Sequence, residues 1–510
     1  MDKKLLLTQI QIDPSEWEQT PPGVKKTMER LWRELEELKI ALKQAQEKAG
    51  MAEEKIQRNS ENSHSPPSQD PPQVKRKKSK SSKRKRGGQS GHQGQSRILY
   101  PESECDKIED HYPEICACCG EQLQGIDEKP YRHQIVEIPE IALSITEHRL
   151  HQLSCSNCGG QTRAKLPEQV ESTGYGVRVV SIVALLSGMY RHSHRMVKTA
   201  MEDLFGVRMS LGTISRIRTE MSEALAVPVT AAKEYVQQGE IVNVDETGFA
   251  QGNSDGQNPQ KRKAWLWVVV TTMVTFFEVT LSRSTEAARE ILGANFLGLL
   301  ISDRYSAYNW IDLKQRQLCW AHLKREFTKI SERTGVARQI GRDLLAQEKR
   351  LFRLWQKVRD GTLRYPEFQH RVPKIRTRVQ NILSEAAAIA IGPKEKTPLA
   401  KTVRTCRQLL KVEPALWLFT TSAGVEPTNN AAERAIRPAV IWRRTSFGSQ
   451  SEAGSIFMAR MLTVVTSLRS QKRNVLSFLT AAVEAARHQT QPPSLLPESP
   501  TETELEKLAA

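Results

Sequence analysis

Three absences frame the sequence. No apolar run among its 510 residues is long enough to span a bilayer, which excludes a helical membrane protein. The opening stretch "MDKKLLLTQIQIDPSEW" lacks a secretory apolar core and a small-residue cleavage site, so a cytoplasmic location is expected. Cysteine is scarce, 8 residues in all, which excludes a disulfide scaffold. Acid is also short: 58 Asp and Glu face 75 Lys and Arg, a formal charge of +17. A surplus of that size favours a polyanionic partner, nucleic acid first, with an anionic membrane surface as the other fit.

What is present is modular. Residues 1–58 hold a heptad seam of Val24, Met28, Leu31, Leu35, Leu38, Leu42, Ala45, Ala49, Ala52 and Ile56. With Leu35 at a and Leu38 at d, Glu34 and Lys39 take the g and e positions, as do Lys48 and Glu53. A single amphipathic helix packed on its own protein would show a similar stripe. The strictness of the repeat favours a coiled coil and a homodimer or higher oligomer. Residues 59–100 read as a linker without a core, containing the basic run "KRKKSKSSKRKR". Such a run attracts phosphate backbones without reading sequence.

Residues 101–168 carry the scarce cysteines. Cys116 and Cys119, then Cys155 and Cys158, form two Cys-x-x-Cys pairs, each followed by glycine. That spacing predicts two knuckles around one tetrahedral Zn²⁺, with strands expected in "RHQIVEIPEIALSITEHRL" between them. Cys118 lies inside the first knuckle and competes for the ligand role; Cys105 reads as a bystander. Residues 169–235 read as helical. A helix ending at Phe205, a turn at Gly206, a cap at Ser210 and a second helix give a helix-turn-helix cadence. Thr213, Ser215, Arg216 and Arg218 decorate that second helix, and Arg216 and Arg218 are candidate DNA contacts.

Residues 236–485 read as an α/β domain. "IVNVDETGF" predicts a strand bearing Asp245; two more β-branched runs, a helix and the strand "LGLLISD" bearing Asp303 follow. Three strands, a helix and a strand is the order of a ribonuclease-H-like sheet, in which the first and fourth strands are neighbours. Two carboxylates so placed, with one more acid from a helix, suffice to hold two Mg²⁺ ions for an in-line displacement at phosphorus. "GVEPTNNAAERAIRP" supplies Glu433 on a helix entered through Pro427, Asn429 and Asn430. Glu426 is the rival, but Pro427 interrupts any helix joining the two. Arg434 and Arg437 are expected near phosphates; in "CWAHLKREF" the spacing of Cys319 and His322 fits metal ligands, but His322 and Lys324 are expected to face DNA or the active site, with Cys319 in the core. A basic helical insertion spans about 330–420, and residues 486–510 form a tail.

Together "GGQSGHQG", the paired knuckles, "VDETGF", "SDRYSAY", "CWAHLKREF" and "NNAAERAIRP" resemble the insertion sequence sixty-six family of bacterial DDE transposases, in family order over most of the chain. The resemblance implies Asp245, Asp303 and Glu433 as the catalytic triad, Mg²⁺ (or Mn²⁺) and Zn²⁺ as cofactors, and transposon ends and target DNA as substrates. Association with the bacterial nucleoid and accessory proteins of the same element are further expectations. A zinc-containing DNA-binding protein without catalysis, or a simple metal-dependent nuclease, is the competing reading.

Overall fold

A computed structural model describes residues 13–56, 58–63, 97–167, 170 and 173–498. Most of the linker, with its basic run and "GGQSGHQG", and the end of the tail lie outside the described residues.

Asp13 caps the short helix α1 (Pro14–Gln19), its carboxylate accepting from the Ser15 N–H at 2.9 Å. Helix α2 (Pro22–Ile56) then runs for 35 residues. Its seam is open: Leu31, Leu35, Leu38 and Leu42 are all exposed, Leu38 at 69%. Beyond it, Asn62 is buried and its amide donates to Glu332 at 2.6 Å.

Residues 72–148 form a unit of their own. From residue 97 it is mostly irregular chain, with a bridge between Ile115 and Gln122 closing the first knuckle. The strands expected around residues 132–150 are absent: the segment is irregular and almost wholly exposed. An unpaired strand without a buried face is not stable by itself. The pairing occurs instead around the second knuckle, where β1 (Gln152–Ser154) and β2 (Gln161–Arg163) are antiparallel.

The remainder is built on helices α3 (Val177–Gly188), α4 (His194–Phe205), α5 (Leu211–Ala224) and α6 (Ala226–Gln237), followed by a sheet. Gly206 ends α4 in the left-handed region at φ 66°, and Ser210 caps α5 by accepting from the Thr213 N–H. This helical region is no separate module: Ile214, Ile217 and Met221 of α5 share one core with the sheet.

The sheet comprises β3 (Ile241–Phe249), β4 (Ala264–Val270), β5 (Thr275–Thr280), β6 (Leu299–Ser302) and β7 (Arg316–Leu318), ordered β5-β4-β3-β6-β7. The first three form an antiparallel meander; β6 and β7 run parallel, with α7 (Thr285–Leu292) connecting β5 to β6. The first and fourth strands are therefore neighbours. β7 is a fifth strand that the sequence pattern does not reveal, being three residues long and polar at Arg316 and Gln317.

Helices α8 (Trp320–Ser331), α9 (Gly335–Arg359), α10 (Tyr365–Ala388) and α11 (Pro398–Lys411) form the insertion. They pack around Trp320, Phe368, Trp417 and Phe419 in a second core that Ile301 of β6 and Leu318 of β7 join. The chain returns to the sheet through α12 (Asn430–Ala435), α13 (Arg437–Thr445), α14 (Glu452–Ser470) and α15 (Val475–Arg487). The start of the tail packs back, with Leu495 fully buried and its carbonyl accepting from Gln471 at 2.9 Å. Among the described residues no helix is long and apolar enough to cross a membrane.

Candidate active site

Register brings the two aspartates level. Asn243 of β3 pairs with Ile301 of β6 in parallel, and each aspartate lies two residues further on, Asp245 on β3 and Asp303 just past β6. Asp245 thus sits at the middle of β3, level with Asp303 where the shorter β6 ends. The Asp303 carboxylate accepts the Tyr305 N–H at 2.8 Å, which fixes the turn. Arg316, buried on β7, donates to the carbonyls of Asp303 at 2.8 Å and Tyr305 at 3.1 Å, and to Ser302 and Asn309. Burial lowers its guanidinium to about 10, offset in part by Asp303.

Glu433 arrives from the far side of the insertion, and Asn429 sets where. Fully buried, Asn429 donates its amide to the Val244 carbonyl at 2.7 Å and accepts from Asn243 at 3.0 Å. Its backbone N–H donates to the Cys319 sulfur at 3.1 Å, while Trp320 donates to the Pro427 carbonyl at 2.9 Å. One side chain thus ties the entry of α12 to the residue before Asp245. Glu433 lies 3.6 Å from His322 Nδ1 and 3.4 Å from Arg325. Burial pushes the Asp245 carboxyl well above its ordinary range, and Glu246, Asp303 and Glu433 push it further. These acids therefore feel one another's charge. Glu426 is exposed and lies outside α12.

The neighbouring acid, Glu246, has a different environment. Its buried carboxylate meets Arg283, whose Nε donates at 2.9 Å, and the hydroxyl of fully buried Tyr308. Burial, with Asp303, raises it to about 7 despite both donors. Arg283 also stacks 3.7 Å from the Tyr305 ring centroid. Glu246 is thus saturated by protein donors, whereas Asp245 accepts only the Glu246 N–H among the hydrogen bonds of the described residues. No spacing rule in the sequence reveals this brace. The signal available was the pair of tyrosines in "SDRYSAY".

Cys319, His322 and Glu433 offer donor atoms all within 4.8 Å of one another. Burial pushes the Cys319 thiol up to about 11. Its role is the one its contacts give, a buried acceptor for the Asn429 backbone.

The expected DNA contacts separate. Arg216, Arg434 and Arg437 are exposed. Arg218 is turned inward: it lies 4.5 Å from the Phe457 ring centroid, with its Nη1 2.6 Å from His194. Two residues apart on a helix means opposite faces, so Arg216 and Arg218 do not share one surface. Lys324 separates from His322 for the same reason and pairs with Glu348 of the insertion at 3.2 Å. In the first knuckle, Cys116 N–H donates to Glu121 and Gly120 takes φ 77°. In the second, Cys155 N–H donates to Gly160 and Gly159 takes φ 70°. Backbone N–H groups of Cys119 and Cys118 lower the Cys116 thiol, and those of Cys158 and Asn157 lower the Cys155 thiol.

A family model described as the transposase IS66 family matches residues 180–456, more than half of the chain. One described as the zinc-finger binding domain of transposase IS66 matches residues 113–159, which include all four knuckle cysteines. A family of unknown function matches residues 12–98. Two curated proteins of Sinorhizobium fredii are similar in sequence, both named as uncharacterized. Protein y4qI is 28% identical over 293 residues, covering 53% of this chain and 51% of its own length. Protein y4hP is 21% identical over 390 residues, covering 70% and 68%. The chain thus spans about half the length of the first of these relatives.

Proposed function

The chain belongs to the transposase IS66 family, and on that premise we propose that it binds transposon terminal inverted repeats, cleaves them and joins the freed ends to target DNA. Asp245, Asp303 and Glu433 are the catalytic acids of a ribonuclease-H-like domain. The observation that carries this reading is their convergence: the parallel register levels the two aspartates, and Asn429 ties the Glu433 helix to the strand of Asp245.

The donor set suits Mg²⁺ or Mn²⁺. It consists of hard carboxylate oxygens, and burial, then the neighbouring acids, raise the Asp245 carboxyl, a cost that a bound cation would offset. Asp245, Asp303 and Glu433 would hold the metal, which when bound supplies charge neutralisation for the attacking and leaving oxygens at phosphorus. His322 and Arg325 steady Glu433. Water attacks first and frees a 3′-hydroxyl; that hydroxyl then attacks target DNA. Both steps are in-line displacements, so one site serves both.

The other modules bring substrate and copies together. Cys116, Cys119, Cys155 and Cys158 hold one Zn²⁺, a role that suits the lowered thiols of Cys116 and Cys155. The open apolar seam of α2 pairs two copies as a coiled coil. Arg216 on α5, with Arg434 and Arg437, contacts phosphates.

The test is a Mg²⁺-dependent assay on duplexes carrying the element's inverted repeats, read for nicks and joined products. Asp245→Asn, Asp303→Asn and Glu433→Gln should each abolish both, with DNA binding kept, while Glu426→Gln should cleave normally. Full activity in all three amide variants would overturn the reading. Nicks without joined products would reduce it to a nuclease.

A further inference from the structure

Beyond β3 the sheet opens into a cleft that the triad does not use. It is a cavity of about 580 Å³, walled by Gly248–Gln251 of β3 and its extension and by five cations. Lys261, Arg262 and Lys263 come from the β3–β4 connection, and Arg443 and Arg444 from the end of α13. No acidic side chain lines it among the described residues. Arg443 fixes the floor, donating to Thr247 Oγ1 at 3.1 Å and to the Gly248 carbonyl. Gly248 is three residues beyond Asp245, about 10 Å along an extended strand.

A second, independent feature stands beside it. Phe447 follows Arg444 by three residues, is 82% exposed, and takes φ 56°. A bulky non-glycine residue in the left-handed region is strained, and such strain collects at functional positions. The next residue, Gly448, takes φ 100° and passes so close to the Ala250 carbonyl that a Cβ there would collide. The loop is pinned to the cleft wall, Ser449 N–H donating to the Ala250 carbonyl at 2.9 Å and Gly252 N–H to the Ser449 carbonyl at 2.8 Å. An aromatic ring is therefore held out in solvent by rigid backbone, next to a cleft lined with cations.

Cations that track phosphates, interleaved with an aromatic face, make the combination that binds unpaired nucleic acid. We propose that this cleft takes a single strand of DNA, its phosphates against Lys261, Lys263, Arg443 and Arg444 and one unstacked base on Phe447. The inference deepens the transposase reading by naming which form of DNA lies next to the triad: a strand opened from its partner a few nucleotides from the scissile bond.

The test uses the full chain in EDTA, so its outcome does not depend on whether the triad cuts. A short single strand carrying 5-iododeoxyuridine is photo-crosslinked and the attachment mapped by mass spectrometry. Coupling should map to Phe447 and vanish in Phe447→Ala. Phe447→Trp should keep it, with affinity for the single strand, measured by anisotropy at moderate salt, about tenfold above that of Phe447→Ala. Removing Lys261 and Lys263 together should flatten the salt dependence, by about 0.7 in log–log slope for each phosphate no longer neutralised. Crosslinks confined to other segments, or equal single-strand affinity in wild type and Phe447→Ala, would overturn the proposal. Equal loss on duplex and single strand would overturn the stacking of an unpaired base.

Discussion

The sheet and the N-terminal helix place the same kinds of residue in opposite positions. Val242, Val244 and Leu300 are buried in the sheet core, and even its polar groups Glu246, Arg316 and Asn429 have partners inside the chain. In α2 the leucines face solvent, and the knuckle segments likewise expose nearly every side chain. The first region is completed by its own residues. The other two leave most of their side chains exposed, and under the proposed function a second copy would cover one and a metal would tie the other.

The strongest way to break that contrast is chelation. Stripping zinc from the purified protein should unfold the knuckle segments outright, since structural zinc supplies on the order of 10 kcal/mol to such modules. The melting transition of the sheet domain should not move. Protease mapping together with calorimetry reads both; a joint collapse would show that the regions are not independent.

Next in size is Asn429→Ala. It strips the Val244 carbonyl of a buried donor and frees the entry of α12. A loss of about 2 kcal/mol in stability is expected. Cleavage should fall further than stability, by about a hundredfold, because Glu433 is no longer held in register. Activity unchanged at a temperature where the variant stays folded would remove Asn429 from the assembly of the site.

Asp245→Asn sharpens the comparison by going the other way. It removes a carboxylate that burial first, and then Glu246, Asp303 and Glu433, disfavour, so without metal the variant should be more stable, by about 1 kcal/mol, even as it loses cleavage. Worked through linkage, the raised Asp245 carboxyl holds its proton in the folded state above the pH at which the unfolded chain releases it. Wild-type metal-free stability therefore falls as pH rises through that window, and the asparagine variant should fall less, keeping only the part due to Glu246, whose carboxyl is raised to about 7. Parallel pH-dependent melts with EDTA check the sign.

The smallest effect on folding comes from Leu35→Asp with Leu42→Asp. Both side chains are exposed, so the sheet domain should melt within about 0.5 kcal/mol of wild type. Sedimentation should nevertheless show weaker self-association. A wild-type protein that is monomeric at micromolar concentration would end the coiled-coil proposal.

The Gly206 turn and the Ser210 cap were legible because each follows from local chemistry; the pairing of the strands that carry Asp245 and Asp303 was legible only through the likeness of the element order to a ribonuclease-H-like sheet. The rest was hidden for physical reasons. β7 is stabilised by the bonds of Arg316 to distant carbonyls, which no local pattern records. Glu246 and Asp245 are adjacent letters, and only the pleat, which turns them to opposite faces, gives one a brace and the other a share in the acid cluster. Arg218 and Lys324 were grouped with their neighbours by proximity in sequence, where helical geometry separates them. The strands expected between the knuckles failed because alternation there meets no surface to pack on.

Asn429 also sets an order of events. Asp245 and Asp303 are synthesised early, but the residue that ties the proposed third acid to them follows the whole insertion, whose helices pack around Trp320, Phe368 and Phe419. A ribosome delivers the two aspartates long before Glu433, and domains fold as they emerge. A nascent chain that stops before residue 429 therefore carries Asp245 and Asp303 without the proposed third acid, Glu433, or the residue that ties it to β3.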